Sequence, residues 1–332
     1  MRQGVNPEKF KAEKNTKKKH RVVVVFYIPN TEEDYYLETL KVLDISLDSL
    51  LKTINPQTTN ITLINNNSTK ESEAIVAKYQ SQIDKYVLYS ENKGKVYAVV
   101  NEIRSVFEPF VTIADSDVLF FSGWETAVFD VFKNHPKAGV VAPLPSQYST
   151  FYCTASVFFA KFFTAKLRYG KVVADADVDL YIKGVNNEAL MRSSSKYNWK
   201  EKQYYLDGKV KAVIGATHFV ATYKSAIFKD QDTFPKIKFK NGYEEKFIDF
   251  VADIKGLYRL STVKTYAYHI GNKIDEVVAE YKAGDSALIN PAIFDAIPLK
   301  KNYANSFIPF PIKRIFLKVF KNSKDVSAKK KP

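Results

Sequence analysis

The feature that most constrains the fold is an alternation of apolar runs with segments of helical period in the first half of the chain. Val22–Ile28 is an unbroken, β-branched run, the pattern of a strand buried on both faces. Leu37, Leu40, Leu43, Leu47, Leu50 and Leu51 then recur at helical spacing, which predicts a helix over 33–54 that Asn55-Pro56 ends. The same rhythm predicts strands at Ile61–Ile64, 86–89, Val111–Ala114 and 139–142, separated by helices over 70–84, 95–107 and 123–134. Strands joined through helices require crossover connections. They imply an α/β fold with a mostly parallel sheet flanked by helices. Ligands on such sheets bind beyond the carboxyl ends of the strands, which directs attention to the loops at 29–34, 65–70, 91–95 and 115–118.

The second half reads less cleanly. Residues 143–212 lack a clear period and are read as an insertion on the acceptor side. Residues 213–223 and 257–268 read as strands and 244–255 as a helix. This divides the chain into a disordered basic arm (1–21), a first half that carries the candidate loops (22–142), a second half (143–310) and a basic tail (311–332).

Charge separates along the same lines. Residues 1–21 carry eight Lys or Arg against two Glu, and residues 311–332 carry eight against one Asp, within a total formal charge of +14. The remainder is close to neutral. A nucleic-acid-binding domain would spread basic charge over a folded face, so no nucleic acid partner is expected. Ile312, Ile315, Phe316, Val319 and Phe320 follow helical spacing, with Arg314, Lys318 and Lys321 on the other side. Such a helix either anchors on an anionic membrane or packs on the domain. No stretch approaches eighteen apolar residues, and no export signal is read at the N-terminus. The single cysteine, Cys153, rules out an internal disulfide framework and fits a reducing compartment. The expected location is cytoplasmic, peripheral on the inner face of the plasma membrane.

Two nucleotide signatures are missing. The first strand leads into Pro29-Asn30-Thr31 rather than a Gly-rich dinucleotide turn, and no phosphate loop ends in Gly-Lys-Ser or Gly-Lys-Thr. The sharpest chemical feature is Asp115-Ser116-Asp117, two carboxylates at the mouth of a buried strand. Alternation turns them the same way, where both can face one hard cation, Mg²⁺ or Mn²⁺, completed by phosphate oxygens. Paired acids after a strand also cap helices, so the string alone leaves both readings open. Asp175-Ala176-Asp177, Asp177-Val178-Asp179 and Asp230-Gln231-Asp232 share the spelling but are read as solvated loop acids. Among the other candidates, His20 is assigned to the arm, His218 to a core strand and His135 to a helix end. Cys153 reads as buried. Trp124 reads as core, with Trp199 left between core packing and sugar stacking.

Taken in order, the motifs resemble the family 2 glycosyltransferases and their GT-A relatives. Pro29 with Leu37 looks like that family's opening element, and Ile61–Thr69 (ITLINNNST) like its second strand and turn. Asn92-Lys93-Gly94 with Ala98 and Asn101 is similar to its Asn-x-Gly helix start. Asp115-Ser116-Asp117 falls where its DxD motif falls. Phe234-Pro235 and Asn241-Gly242-Tyr243-Glu244-Glu245 resemble the acceptor motif, and His269 in Tyr268-His269-Ile270-Gly271 its late histidine. The resemblance covers roughly 22–272, with a poor match near 145–212. It implies that Pro29, Asn65, Asn66, Ser68, Asn92, Lys95 and Asp115 bind the nucleotide. Asp117, Asp115 and His269 would hold Mn²⁺ or Mg²⁺. Glu245 would be the catalytic base, with Glu244 orienting it or the acceptor. Asn65 and Asn66 replace the usual acids, and Glu245 replaces Asp. The implied reaction is inverting transfer from a nucleotide-diphosphate sugar to a glycan or glycolipid hydroxyl, of the polysaccharide, lipopolysaccharide or capsule type. Two alternatives remain: a sugar nucleotidyltransferase on the same fold, and a non-catalytic basic-tailed module that binds membranes or nucleic acid.

Overall fold

The structure, a computed structural model, describes residues 4–6, 17–194, 197–231, 233–236, 238, 242–282, 287–300, 303 and 306–326. Most of the N-terminal arm, Asn241, Asp232 and the tail beyond 326 lie outside them.

The first half follows the alternation: β1 (His20–Phe26), α1 (Thr39–Thr53), β2 (Thr59–Asn65), α2 (Glu71–Tyr79), β3 (Lys85–Leu88), α3 (Lys95–Ile103), β4 (Phe110–Asp115), β5 (Val118–Phe120), α4 (Trp124–Asn134) and β6 (Ala138–Ala142). Then come α5 (Ala155–Lys161), β7 (Leu167–Gly170), α6 (Asp175–Val185), β8 (Arg192–Ser194), β9 (Tyr197–Asn198), β10 (Gln203–Leu206), β11 (Ala212–Ile214) and β12 (Val220–Lys224). The chain closes with α7 (Phe250–Ile254), β13 (Tyr258–Ser261), β14 (Ala267–His269), α8 (Glu276–Ala279) and α9 (Phe310–Val326). Ten strands form one sheet in the order β3-β2-β1-β4-β12-β6-β13-β11-β10-β7. β3, β2, β1 and β4 run parallel, as do β6 and β13, whereas β12 lies antiparallel between β4 and β6. This is the expected mixed, mostly parallel sheet. Val22, Val23 and Val24 are almost fully buried in β1, which explains why that run carries no polar alternation.

Several expectations change. The first helix starts at Thr39, not residue 33, because the Asn30 side chain accepts hydrogen bonds from the Glu32 and Glu33 backbone amides and folds the chain into turns. His20 is not part of the arm. It opens β1, fully buried, with its ring nitrogens against Glu125 (2.9 Å) and Thr112 (2.7 Å). The segment 213–223 is two strands, β11 and β12, broken at Gly215, whose φ is +122°. His218 sits exposed in that break rather than in a core strand. The segment 257–268 is likewise two strands, β13 and β14, which join different sheets. Asp175, Asp177 and Asp179 lie on α6 rather than in a loop, and Asp177 accepts from the Thr265 amide at 2.6 Å. Residues 143–212 supply β7 and β10, which extend the main sheet. Both Trp124 and Trp199 are buried core side chains.

The C-terminal helix α9 packs on α5. Phe316 and Phe320 meet Phe158, Phe159 and Phe162 ring to ring, and Leu317 is buried. The docked face therefore differs from the apolar stripe read in the sequence: Phe320 is inside, while Ile312, Ile315 and Val319 stay 50%, 63% and 60% exposed. Among the described residues no helix is long and apolar enough to cross a membrane.

Candidate active site

The site forms where β4 ends. Asp115 is the last residue of β4 and pairs in register with Val25 of β1. The chain turns through Ser116 and Asp117 into β5, which pairs antiparallel with β14 so that His269 stands opposite Val118. The Ile270 amide donates to the Asp117 carbonyl at 2.7 Å. This backbone pairing carries the His269 ring to Asp117, with Nε2 3.4 Å from Oδ2 and each side chain about a quarter exposed, at 27% and 28%. The partners are 152 positions apart in sequence, and only the β5–β14 ladder brings them together.

The second nitrogen decides the chemistry of the histidine. Nδ1 lies 3.1 Å from the Gly184 carbonyl, which can only accept, so the neutral ring carries its proton there. Nε2 then presents a lone pair beside Asp117, the arrangement found when a histidine ligates a metal. The Asp117 Oδ1 atom is buried and has no hydrogen-bond partner. Burial, with Asp115 nearby, raises its carboxyl to about 6 against the pull of His269. A buried carboxylate in this condition is suited to a cation. Among the described residues no group of three His, Cys, Asp or Glu side chains is gathered tightly enough to cage an ion. Mg²⁺-type sites need fewer, because one or two carboxylates plus substrate phosphates complete the shell. By this test Asp117 and His269 fit a divalent ion shared with a diphosphate.

Lys95 forms the other wall. It begins α3 behind Gly94, whose φ of +81° is in the left-handed region. A Cβ at Gly94 would stand 2.3 Å from the Lys238 carbonyl oxygen, so both backbone and space demand glycine. The Lys95 ammonium lies 2.6 Å from Asp115 and 2.9 Å from Glu244. Burial alone would lower its pKa, but these two carboxylates hold it above its ordinary value. The site thus contains a fixed positive charge beside the Asp115 carboxylate.

The remaining residues expected at the nucleotide sit around this wall, but several are spent on the scaffold. Asn65 is fully buried. Its amide nitrogen donates to Glu73 and Tyr86, and its oxygen accepts from the Ser68 amide. Asn66 donates to the Asn92 side chain and accepts from the Lys93 amide, while Asn92 also accepts from the Gly94 amide. Ser68 accepts from the Ile28 amide, tying the second-strand turn to the chain entering Pro29. These amides therefore set the shape of the 65–68 and 92–94 loops, and none is left wholly free.

Glu244 and Glu245 diverge. Glu244 is held by Lys95, whereas Glu245 opens a π-helical turn (Glu245–Asp249) and lines a separate cleft beside Tyr152 and Cys153. Single π turns inside helices re-aim side chains and are frequent at functional sites. The turn is anchored by a buried ion pair absent from the sequence reading: Arg259 Nη1 to Asp249 Oδ1 at 2.9 Å, with Tyr152 donating to Asp249 Oδ2 at 2.9 Å. An arginine in the otherwise uncharged strand Tyr258–Ser261 is its only sequence signal. Asp249→Ala leaves a guanidinium buried without its partner and should cost about 3–5 kcal/mol, measured by urea unfolding. A loss below about 1 kcal/mol would show that the pair does not hold the turn. Cys153 forms part of the cleft floor with a left-handed φ of +53°, and burial pushes its thiol well above the usual range, which suits a structural role.

Residues 34–215 match the family described as glycosyl transferase family 2. The chain belongs to that family. Its Asp115-Ser116-Asp117 turn falls inside the matched segment, as do β2, β3, β4 and β6, while β1 and β13 lie outside it. Similar solved structures include Staphylococcus aureus TarS 1-349 in complex with UDP-GlcNAc, 15% identical at a TM-score of 0.43, covering 80% of this chain and 62% of that one. They also include the mannosyltransferase PcManGT from Pyrobaculum calidifontis in complex with GDP-Man and Mn²⁺, 13% identical at a TM-score of 0.41, covering 75% and 55%. The chain thus spans less than two thirds of the length of either. No curated protein sequence matches it.

Proposed function

We propose that this family 2 protein is a metal-dependent, inverting glycosyltransferase that moves a sugar from a nucleotide diphosphate to a hydroxyl of a glycan or glycolipid. The observation that carries this reading is the Asp117–His269 pair, with an unpartnered carboxylate oxygen on one side and a metal-ready imidazole nitrogen on the other. A divalent ion there would offset the charge of the departing nucleoside diphosphate. Asp115 and Lys95 would contact ribose and phosphate, and the loops carrying Pro29, Asn65, Asn66, Ser68 and Asn92 would line the base.

Glu245 is the favoured base. The Lys95 ammonium, 2.9 Å away, already occupies Glu244, which counts against it. In the proposed step the acceptor O–H gives its proton to Glu245 as its oxygen bonds to the anomeric carbon. The bond from that carbon to the β-phosphate oxygen breaks, and the nucleoside diphosphate leaves with that electron pair.

Thermal-shift screening with UDP and GDP, with Mn²⁺ and with excess chelator, tests the donor side. Nucleotide stabilisation that requires the metal is expected. Equal stabilisation in chelator would contradict the metal assignment. Donor hydrolysis across nucleotide sugars then identifies the sugar.

A peripheral position on an anionic membrane face, expected on the cytoplasmic side, is supported by α9, which carries the exposed Ile312 and Val319 on the same helix as Arg314 and Lys318. Deleting 311–332 would uncover the α5 surface, so point variants are the better probe. Ile312→Ser with Val319→Ser should reduce co-sedimentation with anionic vesicles at least about threefold. Unchanged binding would remove α9 as the anchor. A polysaccharide, lipopolysaccharide or capsule-type setting follows only from the family.

A further inference from the structure

A second cavity, of about 390 Å³, opens at the end of the sheet opposite the Asp115 turn. β6 and β13 both begin there, with Ala138 beside Tyr258, and both run in the direction of β4, whose far end carries Asp115. No residue proposed for donor, metal or proton transfer lines it. Its volume is that of a small-molecule site, about 300–1,000 Å³.

The charge around it has one sign. Lys137 comes from the α4–β6 connection, Lys161 and Lys166 from either end of the α5–β7 connection, and Lys209 from the β10–β11 connection. Among the described residues none of the four is in an ion pair, unlike Lys171, Lys183 and Lys200 elsewhere on the surface. The one carboxylate in the lining, Asp207, lies 3.9 Å from Arg168 and accepts from the Gly208 amide at 3.1 Å. Two groups register the resulting field. Lys161 is half-buried, and burial, followed by the charges of Lys166 and Lys137, holds it below the ordinary lysine range. His135 donates from Nε2 to the Val210 carbonyl at 2.8 Å; burial lowers its pKa against that bond, and Lys166 and Lys161 lower it further.

Ammonium groups gathered around a hollow, with buried Leu206 and Tyr258 also in its wall, focus positive potential into it. Cations placed around a hollow, and not along one face, select a compact ligand. Four of them, with their one acid turned to Arg168, call for more than a single phosphate. We propose that this cavity binds a small diphosphate-bearing anion at a site separate from the candidate active site. The inference goes beyond the glycosyltransferase reading and does not depend on it.

The test uses full-length, metal-free protein, with inorganic diphosphate as the probe and sulfate as the control at matched ionic strength. Titration calorimetry should show diphosphate binding about tenfold or more tighter than sulfate. Lysine acetylation followed by mass spectrometry then locates the anion. Diphosphate should slow modification of Lys161 and Lys166 at least about threefold and leave Lys171 and Lys200 unchanged. Lys137→Gln with Lys161→Gln and Lys166→Gln should weaken diphosphate binding about tenfold or more without lowering the melting temperature, because it removes mutually repelling charges. Arginine at the same three positions should keep the binding. Sulfate binding as tight as diphosphate, protection of Lys95 in place of Lys161 and Lys166, or undiminished affinity in the Gln variant overturns the proposal. Oligonucleotide binding lost in a Gln variant that still holds diphosphate normally would also overturn it and assign the cavity to a nucleic acid. Should the Gln variant fail to fold, the protection pattern on wild type decides alone. Mn²⁺-dependent stabilisation by UDP or GDP is read on the same samples. Its absence beside intact diphosphate binding would sink the donor reading and leave this site standing.

Discussion

Asp117→Ala will eliminate metal-dependent nucleotide stabilisation and lower transfer by about 100-fold or more, the scale on which removal of one charge-stabilising group acts. Three distances set this expectation. Asp117 lies 3.4 Å from His269 Nε2, His269 Nδ1 is 3.1 Å from Gly184, and Asp115 is already 2.6 Å from Lys95. Asp115 therefore has a resident cation, and Asp117 does not. Losing Asp117 removes the carboxylate with an unpartnered oxygen, so chelated Asp117→Asn should melt no lower than chelated wild type. A structural carboxylate would behave oppositely, with a lower melting temperature and little change in nucleotide response. That outcome would remove Asp117 from the metal site.

Glu245→Gln will leave the nucleotide-induced thermal shift unchanged and reduce transfer by about 10²–10⁴-fold, the range for a positioned general base. The amide keeps the size of the side chain and its place at the start of the π turn, so folding should be preserved. Glu244→Gln should act differently. It withdraws one of the two carboxylates around Lys95, 2.9 Å away, and should alter donor binding. If Glu244→Gln stopped transfer with normal donor binding while Glu245→Gln stayed active, the two roles would exchange.

The order of strands and helices from residue 22 to 142 was legible because it depends on local period. β1, β2, β4 and β6 each appear within one or two residues of the expected position. Residues 143–212 resisted the same reading because their strands are short and serve the sheet edge, where burial is partial. Tyr169 is exposed while Tyr204 across the ladder is buried, so no clean alternation survives. His20 departs from its expected place in the arm for a related reason. A histidine next to a lysine run looks solvated until Glu125, 105 positions away, is brought to 2.9 Å.

The candidate site divides along the same line. Asp115, Asp117, Lys95, Glu244, Glu245 and His269 could all be named from motif and position, since each occupies a loop or element end that the strand order predicts. Their partnerships could not. The string shows Lys95 at a helix start beside a candidate phosphate site, and only the fold shows that Asp115 and Glu244 hold it there. Adjacent glutamates look equivalent in a string, and a π turn sends one to Lys95 and the other to the separate cleft beside α9. Side-chain chemistry and local periodicity are written residue by residue, so the chain alone specifies which groups exist and which elements carry them. Which carboxylate is neutralised, which histidine nitrogen is free and which face of α9 is buried depend on contacts between segments far apart in sequence, and only the folded packing sets those.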